Sequence, residues 1–263
     1  MKNTNKVVII TGASSGIGLC TANYLKSKGY TVYGIAITEA ETDFPLYIAD
    51  VCNHDRIKEI FEEIYQKEKH IDVVYNNAGM GISGALEYTE KKRIEKIFNI
   101  NTIAVIDISS IAIPYLRESK GKIINTSSVA SPCAIPFQAC YSATKSAVET
   151  FSFALRNEVK PFGITVTCIR PGDTKTGFTA NREKNAIEGD VYNNHIKKSV
   201  EKMEKDEQNG ADPITVSKVV EKVIKKKNPP LVATVGFSYK LVCVLVKFLP
   251  MRFANYLIGK LYG

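Results

Sequence analysis

A β-branched run, Lys6-Val-Val-Ile-Ile-Thr11, stops at Gly12-Ala13-Ser14-Ser15-Gly16-Ile17-Gly18, and a helical pattern then continues through Leu25. This reads as a strand, a glycine turn and a helix N-terminus. Gly12, Gly16 and Gly18 permit a tight turn and close approach of backbone to a ligand. The unpaired N–H groups and the dipole of the helix start attract a pyrophosphate. The spacing Gly-x-x-x-Gly-x-Gly differs from the Gly-x-Gly-x-x-Gly of the general dinucleotide fingerprint.

Beyond this turn, apolar strand runs at 6–11, 31–37, 46–49, 71–76, 121–127, 164–170 and 231–235 alternate with amphipathic helices at about 16–28, 54–69, 90–118, 141–160 and 213–227. Such alternation predicts right-handed crossovers and an α/β fold, a doubly wound parallel sheet of Rossmann type with helices on both faces. Ligands then bind outside the carboxyl ends of the strands. No repeat, low-complexity tract or linker interrupts the pattern, so residues 1–263 read as a single domain. Within it, 177–212 is a polar, charged insertion placed as a substrate lid, with Tyr192 to Gln208 readable as a helix and few apolar residues (Phe178, Ile187, Val191, Ile196, Val200, Met203), and 236–263 is a C-terminal extension.

The segment Tyr141-Ser142-Ala143-Thr144-Lys145 begins thirteen positions after Ser128. Residues four apart share a helix face, so Lys145 is expected to sit near Tyr141 and lower its pKa. A tyrosine tuned in this way serves as general acid or base near neutral pH. On an isolated helix the same spacing is ordinary; the glycine turn elsewhere in the chain changes its weight.

With these motifs in order along one chain, the sequence resembles a classical short-chain dehydrogenase/reductase over about residues 6–235. Thr11 to Gly18 is similar to that family's cofactor turn, Asp50-Val51 to its adenine contact, Asn76-Asn77-Ala78-Gly79 to its central-strand motif, and Pro171-Gly172-Asp173-Thr174-Lys175-Thr176 to its nicotinamide-side loop. The resemblance implies a cofactor site of Gly12, Ser14, Ser15, Gly16, Ile17, Gly18, Asp50, Val51, Asn77, Ala78, Gly79, Tyr141, Lys145, Pro171, Gly172, Thr174 and Thr176. It implies a catalytic set of Asn101, Ser128, Tyr141 and Lys145, with Asn99 and Ser127 as neighbouring rivals. Asp50 also reads as a cap-like turn residue before the helix near His54. Asp173 and Lys175 are expected to face solvent.

The implied reaction is reversible hydride transfer between a nicotinamide and a secondary alcohol or ketone. The C-terminal extension looks similar to that of hydroxysteroid (17-beta type) and retinol dehydrogenase-like members, which suits a hydrophobic, steroid- or lipid-like substrate. A sugar, polyol or 3-oxoacyl reductase and a noncatalytic NADP(H)-binding redox sensor are the alternatives. At the end of the second strand, Ala36-Ile37-Thr38-Glu39 places neither an acid nor an Arg where cofactor choice is made. Absence of the acid tilts the expectation towards NADP(H) over NAD(H).

Six cysteines without paired spacing read as reduced packing residues, and no secretory leader precedes the first strand, so a cytoplasmic location is expected. The net charge of +8 is carried largely on solvated helix faces such as Lys197-Lys198 and Lys225-Lys226-Lys227, with no nucleic-acid motif. His54, His70 and His195 lack ligand spacing, so no metal is expected. Homodimers or homotetramers through the helices at about 90–118 and 141–160 are what the resemblance implies. The apolar runs of 236–263 are interrupted by Lys247, Pro250 and Arg252 and are too short to span a bilayer. They read as a cover over the cleft or a subunit interface, as a core cap, or as a basic hairpin in peripheral membrane contact through Lys240, Lys247, Arg252 and Lys260.

Overall fold

The computed structural model describes residues 5–185 and 191–262. Its elements run β1 (Val7–Thr11), α1 (Gly16–Ser27), β2 (Thr31–Ala36), β3 (Leu46–Ile48), α2 (His54–Glu68), β4 (Val73–Asn76), β5 (Ile82–Gly84), α3 (Lys91–Phe98), α4 (Ala104–Ser119), β6 (Lys122–Thr126) and α5 (Ala139–Glu158). They continue as β7 (Thr165–Arg170), β8 (Glu183–Asn185), α6 (His195–Gln208), α7 (Ile214–Lys225), β9 (Val232–Thr234), α8 (Phe237–Phe248) and α9 (Met251–Tyr262).

Seven strands form one sheet in the order β3-β2-β1-β4-β6-β7-β9, and every neighbouring pair is parallel. Strand periodicity explains its two covered faces. In β1, Val7 and Ile9 enter the core layer shared with α2, α4 and α5, while Val8 and Ile10 enter the layer shared with α1 and α7. Register follows: Val7 sits opposite Thr31, and Val8 opposite both Val32 and Val73. The chain winds outward from β1 to β2 and β3, then returns to place β4 on the other side of β1. That reversal opens a crevice at the carboxyl ends of β1 and β4, the switch point of a doubly wound sheet.

The helix expected at 90–118 runs unbroken from Lys91 to Ser119, α3 and α4 being joined by a π-helical turn at Asn99–Ile103. A second sheet pairs β5 with β8 in parallel, Ile82 opposite Glu183 and Gly84 opposite Asn185. Neither strand carries an apolar alternation longer than a residue or two, so the pattern did not announce them. The lid helix starts at His195 rather than Tyr192, and Ile187, one of the apolar lid residues, lies outside the described residues. The cap of α2 is Asn53, whose side chain accepts from the Arg56 amide at 3.1 Å. Asp50 instead accepts from the Cys52 amide at 2.9 Å, closing the turn before it.

Candidate active site

The glycine turn is seated by a threonine. Thr11 Oγ1, at the end of β1, accepts from the backbone amides of Asn77 and Ala78 at 3.0 Å each. Asn77 Nδ2 donates back to the Thr11 carbonyl at 3.1 Å. The turn therefore lies flush against the end of β4. Gly12 adopts φ +67, and a Cβ on it would approach Ala78 Cα to 2.9 Å; a Cβ on Gly18 would lie 2.1 Å from the Gly12 carbonyl oxygen. Side chains at these positions would push turn and helix apart.

No side chain caps the first amides of α1, whose N-cap is Ser15. Ser15, Gly16 and Ile17 border a cavity of about 250 Å³ that also reaches Asn77, Ala78, Gly79, Tyr141 and Lys145. A helix N-terminus of this kind, opening on a cleft with glycine-close backbone, fits a dinucleotide pyrophosphate. Gly12, Pro171, Gly172, Thr174 and Thr176 border the same cavity. Ser14 is engaged with Thr38 at 2.9 Å. Asp50, Val51, Ser14 and Gly18 do not border the cavity; Asp50 and Val51 follow β3, near the outer edge of the sheet.

Ser128 follows the end of β6 and Tyr141 lies in the first turn of α5, and the Ser128 hydroxyl lies beside the Tyr141 phenol at the cavity wall. Burial pushes the Tyr141 phenol up from its usual range, while the Ser128 hydroxyl and the Arg182 charge act to lower it. Lys145 is 4% exposed, and its Nζ donates to the Thr126 carbonyl at 3.0 Å while lying 5.8 Å from the Tyr141 ring centroid. Burial brings its pKa down to about 8. The expected lowering of Tyr141 by Lys145 is thus overturned: desolvation dominates both groups, and the ammonium turns towards β6.

The rivals separate by environment. Asn101 is fully buried in the π-helical turn, where its amide exchanges hydrogen bonds with the Met80 backbone at 2.8 and 2.9 Å and donates to Thr144 at 3.2 Å. Asn99 is exposed. Ser127 donates to Glu149 at 2.6 Å, behind the site, and Glu149 in turn binds Arg170 through both carboxylate oxygens at 2.9 and 2.6 Å. A Cβ on Gly79 would meet Asn101 Oδ1 at 3.2 Å and Lys145 Nζ at 3.5 Å, a tight contact and an ordinary one, which sets Gly79 beside both groups.

The far wall comes from the segments read as lid and cleft cover, but its individual residues were not legible. Asp173, expected in solvent, borders the cavity and accepts from the Tyr239 hydroxyl at 2.5 Å. Burial pushes its carboxyl up, and the tyrosine bond partly offsets this. Gln138, Met203, Glu207, Tyr239 and Tyr262 complete the wall, contributed by the start of α5, by α6, and by α8 and α9. No motif contains them; distant segments meet only in the fold. Lys175, as expected, is exposed.

The short chain dehydrogenase family model matches residues 6–187. The chain is 39% identical over 236 residues to a 3-ketodihydrosphingosine reductase of Bacteroides thetaiotaomicron, covering 88% of each sequence. It is 30% identical over 201 residues to the 3-oxoacyl-[acyl-carrier-protein] reductase of Thermotoga maritima, covering 72% of this chain and 82% of that one. Among solved structures, a short-chain dehydrogenase from Streptomyces avermitilis superposes with TM-score 0.84 at 23% identity over 99% of this chain and 98% of that one. A short chain dehydrogenase/reductase from Burkholderia phymatum, in complex with NAD, gives 0.80 at 19% over 94% and 93%. The glycine turn pinned by Thr11 and the Ser128–Tyr141 contact therefore sit in a chain that belongs to the short-chain dehydrogenase family, oxidoreductases acting on CH–OH and keto groups.

Proposed function

We propose that this chain catalyses reversible hydride transfer between a nicotinamide cofactor and a secondary alcohol or ketone of a lipid-like molecule. The observation that carries the reading is the convergence of Ser128, Tyr141 and Lys145 on the wall of the cavity that runs from the glycine turn to the lid. In the reductive direction Tyr141 gives a proton to the carbonyl oxygen, and Ser128 donates a hydrogen bond to that oxygen as charge develops. When bound, the nicotinamide supplies the hydride taken up by the carbonyl carbon. Lys145 holds the ribose beside Tyr141, and Asn101 links Lys145 to solvent through a water. Gly12, Ser15, Gly16, Ile17, Thr174 and Thr176 hold the dinucleotide, with Asp50 and Val51 at its adenine end.

For the substrate, support comes from apolar side chains on the lid side of the cavity, among them Ile135, Phe178 and Met203. The name of the Bacteroides relative points the same way, towards a long-chain keto lipid rather than a steroid. A 3-oxoacyl thioester is the second reading, favoured by the name of the Thermotoga relative. NADP(H) is preferred over NAD(H), because β2 is followed directly by Ile37, 69% exposed, with no acid at that position to meet a ribose 2′-hydroxyl. We place the enzyme in the cytoplasm, as a homo-oligomer through α4 and α5, where Ile106 on α4 and Ile103 in the π turn just before it are exposed.

Nicotinamide absorbance with NADPH and NADH, against long-chain keto lipids, 3-oxoacyl thioesters, steroid ketones and aldoses, tests the proposal, with Tyr141→Phe run alongside. Turnover of a keto lipid that vanishes in the variant is expected. Dinucleotide binding without turnover of any of the four classes would refute it.

A further inference from the structure

Eleven of the nineteen exposed large apolar side chains among the described residues fall between Phe237 and Leu261, on α8 and α9. These helices have two apolar faces. Tyr239, Cys243 and Val246 on α8 and Ala254, Ile258 and Tyr262 on α9 are turned inward at helical spacing, and Tyr239 and Tyr262 border the cavity. The Cys243 thiol is buried beside that of Cys133, in the segment after β6, so α8 packs against the wall of the site. Outward lie a stripe of Phe237, Leu241, Leu245 and Phe248 on α8 and a stripe of Phe253, Leu257 and Leu261 on α9. Phe237 and Phe248 are 83% and 80% exposed. Exposed apolar stripes on two consecutive helices mark an interaction surface.

Charge decides the occupant. From Gly236 to Gly263 the sequence holds Lys240, Lys247, Arg252 and Lys260 and not one Asp or Glu. In a two-fold contact with a second copy the same patch meets itself, so four cations would face four cations with no carboxylate to pair them. An anionic lipid surface supplies the missing countercharge and takes the apolar stripe into its acyl boundary. At about 1.5 Å per residue, helices of 12 residues each are shorter than the hydrocarbon core of a bilayer, so they lie on it rather than cross it.

We propose that α8 and α9 seat this chain on an anionic lipid bilayer, outward stripe down, and that the cavity behind their inward stripe receives its substrate from that surface. The second half rests on the lipid-like substrate proposed above; the docking does not.

The test is flotation of the full-length protein with vesicles of phosphatidylcholine alone and of phosphatidylcholine with phosphatidylglycerol. Two variants accompany it, Leu241→Glu/Leu245→Glu on the outward stripe and Lys247→Gln/Arg252→Gln. Association with the anionic vesicles is expected, abolished in the Glu pair and weakened about 25-fold in the Gln pair, at roughly fivefold per cation. Both variants should keep the wild-type thermal midpoint and turnover of a short water-soluble ketone. A wild type that stays in the soluble fraction, or a Glu pair that floats as well as wild type, overturns the docking. So does a Glu pair that halves the molecular mass of a wild type that does not float, which assigns the stripe to a second copy. Flotation without turnover of any ketone overturns the substrate route and leaves the docking supported.

Discussion

Replacing Lys145 by methionine should stabilise the folded chain while abolishing its turnover. Lys145 is buried to 4% exposure, with no carboxylate bonded to it and a single hydrogen bond to the Thr126 carbonyl. Burial lowers its pKa from 10.5 to about 8, which at about 1.4 kcal/mol for each tenfold change in proton affinity is a cost of about 3 kcal/mol to keep it charged. Methionine fills a similar volume without the charge, at the loss of one hydrogen bond worth about 1 kcal/mol. The net gain is about 2 kcal/mol, a rise of roughly 4 °C in the melting midpoint of a chain this size.

The pH dependence distinguishes this cause from better packing. Because the folded pKa lies below the unfolded one, the unfolded wild type binds more protons between about pH 8 and 10.5. Wild-type stability therefore rises relative to the variant across that window. The advantage of Lys145→Met is complete below pH 8, shrinks as pH rises, and is gone by 10.5. Urea denaturation of both proteins from pH 7 to 10.5 reads the difference. A variant less stable than wild type at pH 7, or an advantage that does not change with pH, would refute the reasoning.

Tyr141→Phe should lower kcat by roughly 10²- to 10⁴-fold while leaving dinucleotide affinity near wild type, as read by stopped-assay kinetics and calorimetry. Glu149→Gln leaves the Arg170 guanidinium, whose side chain is 13% exposed, without its countercharge. A loss of about 3–5 kcal/mol in denaturant stability is expected, and a loss under 1 kcal/mol would show that the pair is replaceable. Ile37→Asp should move the kcat/KM ratio about tenfold towards NADH, equivalent to roughly 1.4 kcal/mol; an unchanged ratio removes the end of β2 from cofactor choice. Gly18→Ala would set a methyl 2.1 Å from the Gly12 carbonyl oxygen, so dinucleotide binding should fall below detection by calorimetry even where soluble protein is recovered.

Much of the architecture was legible because local physics and fold agree in it. The alternation of β-branched runs with amphipathic helices is enough for a parallel, doubly covered sheet, and seven strands were found where seven runs were expected. The glycine turn was legible because backbone that must approach other backbone excludes Cβ. Ser128, Tyr141 and Lys145 were singled out by resemblance to a family, the thirteen-residue interval serving only to prefer Ser128 over Ser127, and the fold brings all three to one cavity. The protonation of that set was not legible. Spacing along a helix says that an ammonium and a phenol share a face, but burial, a property of everything packed around them, raises Tyr141 and lowers Lys145. The strands β5 and β8 escaped notice because three residues are too few to show a period.

What the sequence determined by itself is the sheet, the turn at its switch point and the order of the chemical groups, each encoded in residues close together in the chain. Only the tertiary structure decided the far wall. Asp173 was read as solvent-facing, and Tyr239 and Tyr262 belong to no motif, yet all three border one cavity and the Tyr239 hydroxyl donates to Asp173. The two-faced character of those helices is likewise invisible in an apolar run, where every position looks equally fit for burial. Packing of one stripe against the site leaves the other in solvent, since a helix can press only one side against a given surface.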